Sequence, residues 1–315
     1  MDETPILIAD VGGTNIRFAI ARAGAIGAIR VLPTQQFRGL FDSAEVFLAD
    51  IPPAERPKRA AVAVAAPVVG DQITLTNSPW TFSIRQARIC LGLGELVVLN
   101  DFAATAMALP FLGHADRLAV GPALQAGNGP LAVLGPGTGL GVAGMVGTPD
   151  RWVLVPGEGG HVTMAAANEE EARVLDWLRA RFGHVSAERV ISGQGLVNLH
   201  DAILGLAGLP AQGLDAAGIA AAALAGRDAH CARAFAMFCD MLGTVAGNLA
   251  LTLGATGGVY IAGGILPRYA SAFRASGFRA RFEAKGRFSG YVAGIPTFLV
   301  THPEPVLLGL ANAPG

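Results

Sequence analysis

Apolar runs separated by glycine turns set the pattern of the first third of the chain. ILIAD leads into Gly12-Gly13-Thr14-Asn15 and leaves through IRFAIA, which predicts strands over 6–9 and 16–21 joined by a tight turn. A further strand is expected over 30–36 and a helix over 42–49. The run RAAVAVAAP is short, partly β-branched and closed by proline, the pattern of a buried strand. VVGDQITLT reads as a hairpin, 83–90 as a helix, ELVVLND as a strand and 103–109 as a helix. Strands interleaved with helices make an α/β domain.

The second half reopens the same way. After a glycine- and proline-rich stretch over 110–130, LAVLGPGTGLGVAGMV again passes from an apolar run through a turn to an apolar run. The turn carries Gly135, Gly137, Thr138, Gly139 and Gly141. RWVLVP continues this region, and helices are then expected over 169–182, 186–191, 196–204, 216–224 and 229–253. The first of these has an acidic opening turn (EEE) and a basic closing turn (RAR), which complements the helix dipole. GGVYIAGGI and PTFLVTH read as buried strands, and a short helix is expected from Pro305. Residues 241–267 carry no charge and imitate a membrane span. Gly254 and Gly257-Gly258 break that run, so a buried helix followed by a buried strand is expected, and no membrane association.

Composition narrows the function classes. The chain of 315 residues is long enough for two domains, and it is 52% hydrophobic and only 15% charged. A net charge of −1 argues against nucleic-acid binding, which needs a basic face. Cys90, Cys231 and Cys239 are odd in number and widely spaced, and read as reduced thiols. Cys231 and Cys239 could share a helical face, but a zinc site would need more ligands. The acidic N-terminus lacks a basic n-region, so no secretory signal is expected and the protein reads as cytoplasmic.

The two glycine turns resemble paired anion clamps, because glycine lets backbone N–H groups approach an anion closely. A nucleoside triphosphate held between two domains, and hence phosphoryl transfer, is the chemistry they suggest. GxxxxGK[ST] is absent. Gly139, Gly141 and Gly144 match GxGxxG, but VAGMV reads as a strand, so no helix N-terminus follows to receive a pyrophosphate. Asp10 and Asp101 both stand at expected strand ends. One could orient magnesium and its waters, and the other accept the proton of an attacking hydroxyl. Glu158 and His161 in PGEGGH suit a polyhydroxylated ligand, though such a pair in a loop is more often a local hydrogen bond or merely solvated. Glu188 reads as an ordinary exposed helix residue, and Asn77 and Trp80 in TNSPW as an Asx-turn and a packed aromatic.

Together these segments resemble the bacterial glucokinases of the hexokinase–actin-like ATPase superfamily, in the branch without structural zinc. The resemblance rests on ADVGGTNIRFA, LTNSPW, VVLNDFAATAMALP, GPGTGLGVA, VPGEGGHV, ERVISGQGL, VYIAGGI and KGRFSGYVAGIP followed by THPEP. It implies a two-domain actin-like ATPase (ribonuclease H-like) α/β fold. A small domain would span 1–110 plus 303–315, and a larger helix-rich domain 111–302, with a cleft between them. It implies ATP-dependent phosphorylation of D-glucose with Mg²⁺. Ala9, Asp10, Val11, Gly12, Gly13, Thr14 and Asn15 would form the first phosphate loop, with Asp10 assisting the metal. Gly137, Thr138 and Gly139 would form the second loop, and Gly263 and Gly264 would lie near the adenosine. Asn77, Asn100, Asp101, Glu158, His161 and Glu188 would bind glucose, with Asp101 as general base. Met164-Ala165-Ala166 stands where the related ROK kinases carry their C-x-C-G zinc motif, so no structural zinc is expected. A homodimer is implied as well. Two rivals are a kinase of another hexose and a sugar-sensing regulator without catalysis; the regulators carry an N-terminal helix-turn-helix that is not expected here.

Overall fold

Two sheets built on one plan organise the computed structural model, which describes residues 4–75, 78–148 and 151–313. The chain divides into two compact units, Met1–Leu112 with His302–Gly315, and Gly113–Thr301.

In the first unit, β1 (Ile6–Val11) pairs antiparallel with β2 (Asn15–Arg22), which also pairs with β3 (Ala25–Ile26) and β4 (Arg30–Pro33). Helix α1 (Leu40–Leu48) leads to β5 (Arg59–Val64), which lies parallel to β1. A small ribbon of β6 (Gln72–Thr74) and β7 (Thr81–Ser83) precedes α2 (Ile84–Cys90). Strand β8 (Glu95–Asn100) then joins β5 in parallel and runs directly into α3 (Asp101–Ala108). The central strands are buried on both faces, which explains their unbroken apolar runs. Leu7, Ala9 and Val11 face Leu40 and Ala44 of α1, while Ile6 and Ile8 face Ala104 and two leucines of the C-terminal helix, Leu307 and Leu310.

In the second unit, the short β9 (Arg117–Ala119) precedes β10 (Leu131–Pro136), β11 (Leu140–Gly147) and β12 (Trp152–Gly157), an antiparallel set. Helices α4 (Glu169–Phe182), α5 (Gly193–Leu206), α6 (Ala216–Leu224) and α7 (Ala229–Leu253) follow. Strand β13 (Gly258–Ile261) lies parallel to β10. Three short helices, α8 (Ala270–Arg274), α9 (Phe278–Glu283) and α10 (Ser289–Ala293), connect it to β14 (Thr297–Val300), which runs parallel to β13. The chain ends in α11 (Pro305–Ala311), which belongs to the first unit and packs on α3 and β1.

The sheet orders β2-β1-β5-β8 and β11-β10-β13-β14 match strand for strand: a hairpin, then two parallel additions. The repeated turn seen in the sequence therefore marks a repeated sheet. Helix α7 is long and apolar enough to cross a membrane by length and composition. Here it is a core helix, its Phe235, Met237, Phe238, Met241 and Leu242 buried in the second unit. Gly254, in the left-handed conformation at φ 59°, ends it where a side chain would be strained.

Three local expectations are corrected. Residues 186–191 are not a helix but a bridge and turns. Their backbone is recruited by the loop before them, with Glu188 N–H donating to Gly160 O and Ala187 N–H to Val162 O. The strand expected over 30–36 stops at Pro33 and gives way to a 3-10 turn over Thr34–Gln36. VVGDQITLT does not fold on itself: Gln72–Thr74 pairs with Thr81–Ser83 instead.

Candidate functional site

The first unit presents a cluster of carboxylates at its hairpin. Asp10 lies near the end of β1 with its side chain 16% exposed, opposite Arg17 across the β1–β2 register. Arg17 Nη1 donates to Asp10 Oδ2 at 3.2 Å, and Arg17 Nε stands 3.4 Å from Glu304 Oε1. Burial raises the pKa of Asp10 to about 6; Arg17 opposes this, and the charges of Asp101 and Glu304 reinforce it. Asp10 is thus close enough to both carboxylates to feel their charge. All-oxygen donors with crowded negative charge suit a hard divalent cation, so Asp10 fits the part of a magnesium-assisting group.

The turn between β1 and β2 is held from outside the hairpin. Gly12 N–H donates to Asn15 O at 3.0 Å, Thr34 Oγ1–H to Gly12 O at 2.8 Å, and Thr34 N–H to Thr14 O at 2.9 Å. Ala9 and Val11 have fully buried side chains, so only their main chain is available to a ligand. Thr34 is buried and braces the loop, yet nothing in the local sequence marks it.

Asp101 is the first residue of α3, while the helix cap is Asn100. Asn100 Oδ1 accepts from Phe102 N–H at 2.8 Å, and its Nδ2 donates to Ala66 O at 3.3 Å. Both ends of the Asn100 amide are therefore engaged within the protein. Asp101 Oδ1 also accepts from Phe102 N–H at 2.8 Å, which sets its carboxylate against the helix N-terminus. Trp80 is a packed aromatic whose Nε1–H donates to Phe37 O at 3.0 Å. Asn77 lies outside the described residues.

In the second unit the corresponding turn is part of a tied set of loops. Gly137 N–H donates to Gly139 O at 2.8 Å, and Gly193 N–H donates to Gly137 O at 2.9 Å. Glu188 Oε2 accepts from Leu140 N–H at 2.9 Å, so this carboxylate clamps the start of β11. A side chain at Gly139 would collide with that same Glu188 oxygen, and one at Gly160 would collide with Leu140 O. Glu158 and His161 flank this close approach; both are exposed and make no side-chain hydrogen bond among the described residues. Gly263, at φ 89°, sits with its Cβ position 2.5 Å from Pro136 O, against the β10 end of the turn. By contrast nothing lies within 4 Å of the Cβ positions at Gly137 and Gly264, where the main chain is open to a ligand.

Sequence reasoning singled out Asp10, Asp101 and the turn glycines but missed Arg17, Thr34 and Glu304. Arg17 had a usable signal, since strand pairing across a tight turn places it opposite Asp10. The dependence of Asp10 on burial gives a prediction with a definite sign. Its folded pKa of about 6 exceeds the ordinary carboxylate value of 3.8, so the folded state holds the proton more tightly than the unfolded chain. The resulting stability is present below the unfolded pKa and lost as pH rises through about 6. Asp10→Asn is therefore expected to stabilise the nucleotide-free protein at pH 8 by about 1–3 kcal/mol, and to leave it unchanged near pH 4. Thermal unfolding of both proteins across that range, without Mg²⁺ or ATP, checks this; equal melting at pH 8 would contradict it.

A family model described as Glucokinase matches residues 7–314. A protein named glucokinase from Nitrobacter hamburgensis is 50% identical over 308 residues, covering 98% of this chain and 96% of that one. Another from Paramagnetospirillum magneticum is 50% identical over 310 residues, with 98% and 96% covered. Among solved structures, a glucokinase from an Antarctic psychrotroph superposes with a TM-score of 0.90 at 39% identity, covering 98% of each chain.

Proposed function

The chain belongs to the glucokinase family and is an ATP-dependent hexose kinase that phosphorylates glucose, and we propose that Asp101 is its general base. In this reading the Asp101 carboxylate takes the proton of the glucose 6-hydroxyl as that oxygen attacks the γ-phosphorus of ATP. The bond from the γ-phosphorus to the bridging oxygen breaks, giving glucose 6-phosphate and ADP. The observation that carries the reading is the position of Asp101 on the first residue of α3, behind an independent cap and within electrostatic reach of Asp10.

Residues 9–15 supply one phosphate loop, and Gly137, Thr138 and Gly139 supply another. Gly263 and Gly264 serve the adenosine; the unobstructed main chain at Gly137 and Gly264 supports this assignment. Asp10 would hold Mg²⁺, which arrives with ATP and supplies charge neutralisation for the phosphoryl oxygens. Asn77, Asn100, Glu158, His161 and Glu188 are assigned to glucose. For Asn100 and Glu188 the internal hydrogen bonds imply a second task, fixing α3 and β11 while further lone pairs or N–H groups face the sugar. We further place the enzyme in the cytoplasm as a homodimer that feeds glycolysis. We also infer that the two structural units act as its two functional domains.

Among the described residues Glu158 and His161 make no side-chain hydrogen bond, so truncating them should cost binding without disturbing the fold. Glu158→Ala and His161→Ala are each expected to raise the glucose KM roughly 10-fold or more, the effect of losing a charge-assisted or direct hydrogen bond. Steady-state kinetics decides this, and an unchanged KM in both would remove them from the sugar site. The activity itself is tested by ADP release with ATP and Mg²⁺ across a panel of hexoses. A strong preference for glucose supports the assignment. Preference for another hexose moves only the specificity, and absence of turnover with every sugar would favour a sensor.

A further inference from the structure

THPEP is one of the segments that carry the resemblance, yet none of its residues takes part in the chemistry assigned to Asp10 and Asp101. Glu304 stands at the cap position of α11, where a short polar side chain would ordinarily accept from the first free N–H groups of the helix. Its side chain makes no such bond. Only its main chain serves the local structure: Glu304 O accepts from Leu308 N–H at 3.1 Å, and Glu304 N–H donates to His302 Nδ1 at 3.1 Å. The carboxylate reaches β2 instead, with Oε1 3.4 Å from Arg17 Nε.

Arg17 is thereby shared. Its Nη1 donates to Asp10 Oδ2 at 3.2 Å while Nε is held by Glu304, so one guanidinium bridges the phosphate hairpin and the start of the C-terminal helix. The division has a chemical consequence. An arginine free to choose takes a carboxylate bidentately, with one N–H on each oxygen. That arrangement would fill both oxygens of Asp10 and neutralise the charge a cation needs. Here Asp10 Oδ1 accepts no hydrogen bond among the described residues. The Arg17 and Glu304 side chains are both partly exposed, and ion pairs of that kind add little to stability. The contact therefore matters for what it does to Asp10, not for the fold.

We propose that Glu304 is a positioning residue for phosphoryl transfer: by holding Arg17 through Nε, it limits that side chain to one oxygen of Asp10 and leaves the other for the divalent cation that accompanies ATP. The inference rests on the assignment of Asp10 to that cation. Glu304 touches neither nucleotide nor metal in this role, so its effect passes wholly through Arg17. All three side chains belong to one structural unit, and the carboxylate can be removed without uncapping α11. Its loss frees Arg17 to close on Asp10. Cation-dependent nucleotide binding then weakens, while binding of the nucleotide without cation does not.

The test is calorimetric binding of the non-hydrolysable analogue AMPPNP to the full chain, with and without Mg²⁺. The ratio of the two affinities is the gain that the cation confers. Glu304→Ala is expected to cut this gain about 10-fold, with the affinity for metal-free AMPPNP unchanged or slightly higher. Turnover should split the same way, with a higher KM for Mg·ATP and an unaltered KM for glucose. In an Arg17→Gln background, Glu304→Ala should change the gain by less than about 2-fold, because the relay is already broken. A full loss in that background would mean that Glu304 acts on the cation directly, and an unchanged gain in Glu304→Ala alone would remove it from the site; either result overturns the proposal. Urea unfolding of Glu304→Ala should match the parent, and a gain lost together with stability would make the role structural and overturn it too. Asp10→Asn separates the premise from the inference. A gain left intact by Asp10→Asn would sink the assignment of Asp10, whereas a gain lost in Asp10→Asn but kept in Glu304→Ala refutes the relay alone.

Discussion

Asp101→Asn is expected to lower kcat by about 10²–10⁴-fold while leaving glucose affinity within a modest factor. The substitution keeps what Asp101 does for the fold. An asparagine oxygen can still accept from Phe102 N–H, and the cap of α3 is supplied by Asn100 in any case. What it removes is the ability to take a proton, so the loss should fall on the chemical step rather than on binding. A second consequence can be read without turnover. The negative charge of Asp101 is one of the causes that raise the pKa of Asp10, so the variant should titrate Asp10 lower than the parent. Single-turnover kinetics with calorimetric glucose binding checks the first effect, and carboxylate titration by NMR checks the second. A variant that binds no glucose, or one that retains activity within a few-fold, would refute a mainly catalytic role.

The candidate site was legible where it depends on local pattern. A tight glycine turn between two apolar runs announces a hairpin, and an acidic residue at a strand end announces itself, as Asp10 and Asp101 do. What the chain hides is every partner brought in from a distance. Glu304 reaches Arg17 from the far end of the sequence, and Thr34 holds Gly12 and Thr14 although no local signal singles it out. Glu188 falls in a segment with helical periodicity, yet its main chain is bound by Gly160 and its carboxylate by Leu140. Tertiary hydrogen bonds outcompeted local helix propensity there, which is why the expected helix over 186–191 is absent. The β6–β7 ribbon repeats the lesson: residues 72–74 pair across a longer connection than the turn at Gly70-Asp71 suggests.

Gly309→Ala should be among the most destabilising single changes in the first unit, although it adds one methyl group and improves helix propensity. Gly309 lies on α11 where that helix crosses α3, and the two backbones touch. A Cβ there would overlap the carbonyl oxygen of Ala104, with Ala104 C at 2.8 Å and Ala108 N at 3.1 Å. All three obstacles are main-chain atoms of α3, so no side chain can rotate away and one helix must move. Propensity alone favours alanine by roughly 1 kcal/mol. Overpacking against rigid backbone costs about 3 kcal/mol or more, so the clash wins and a net loss of about 2 kcal/mol or more is expected. Because α3 begins at Asp101, the displacement should reach the proposed base, and kcat should fall even well below the melting temperature. Gly290, where nothing lies within 4 Å of the Cβ position, is the control: Gly290→Ala should be neutral or slightly stabilising. Urea unfolding and kcat of the two variants, side by side, decide the matter. If Gly309→Ala matched the parent in both, the close approach of α11 to α3 would not be what holds Asp101 in place.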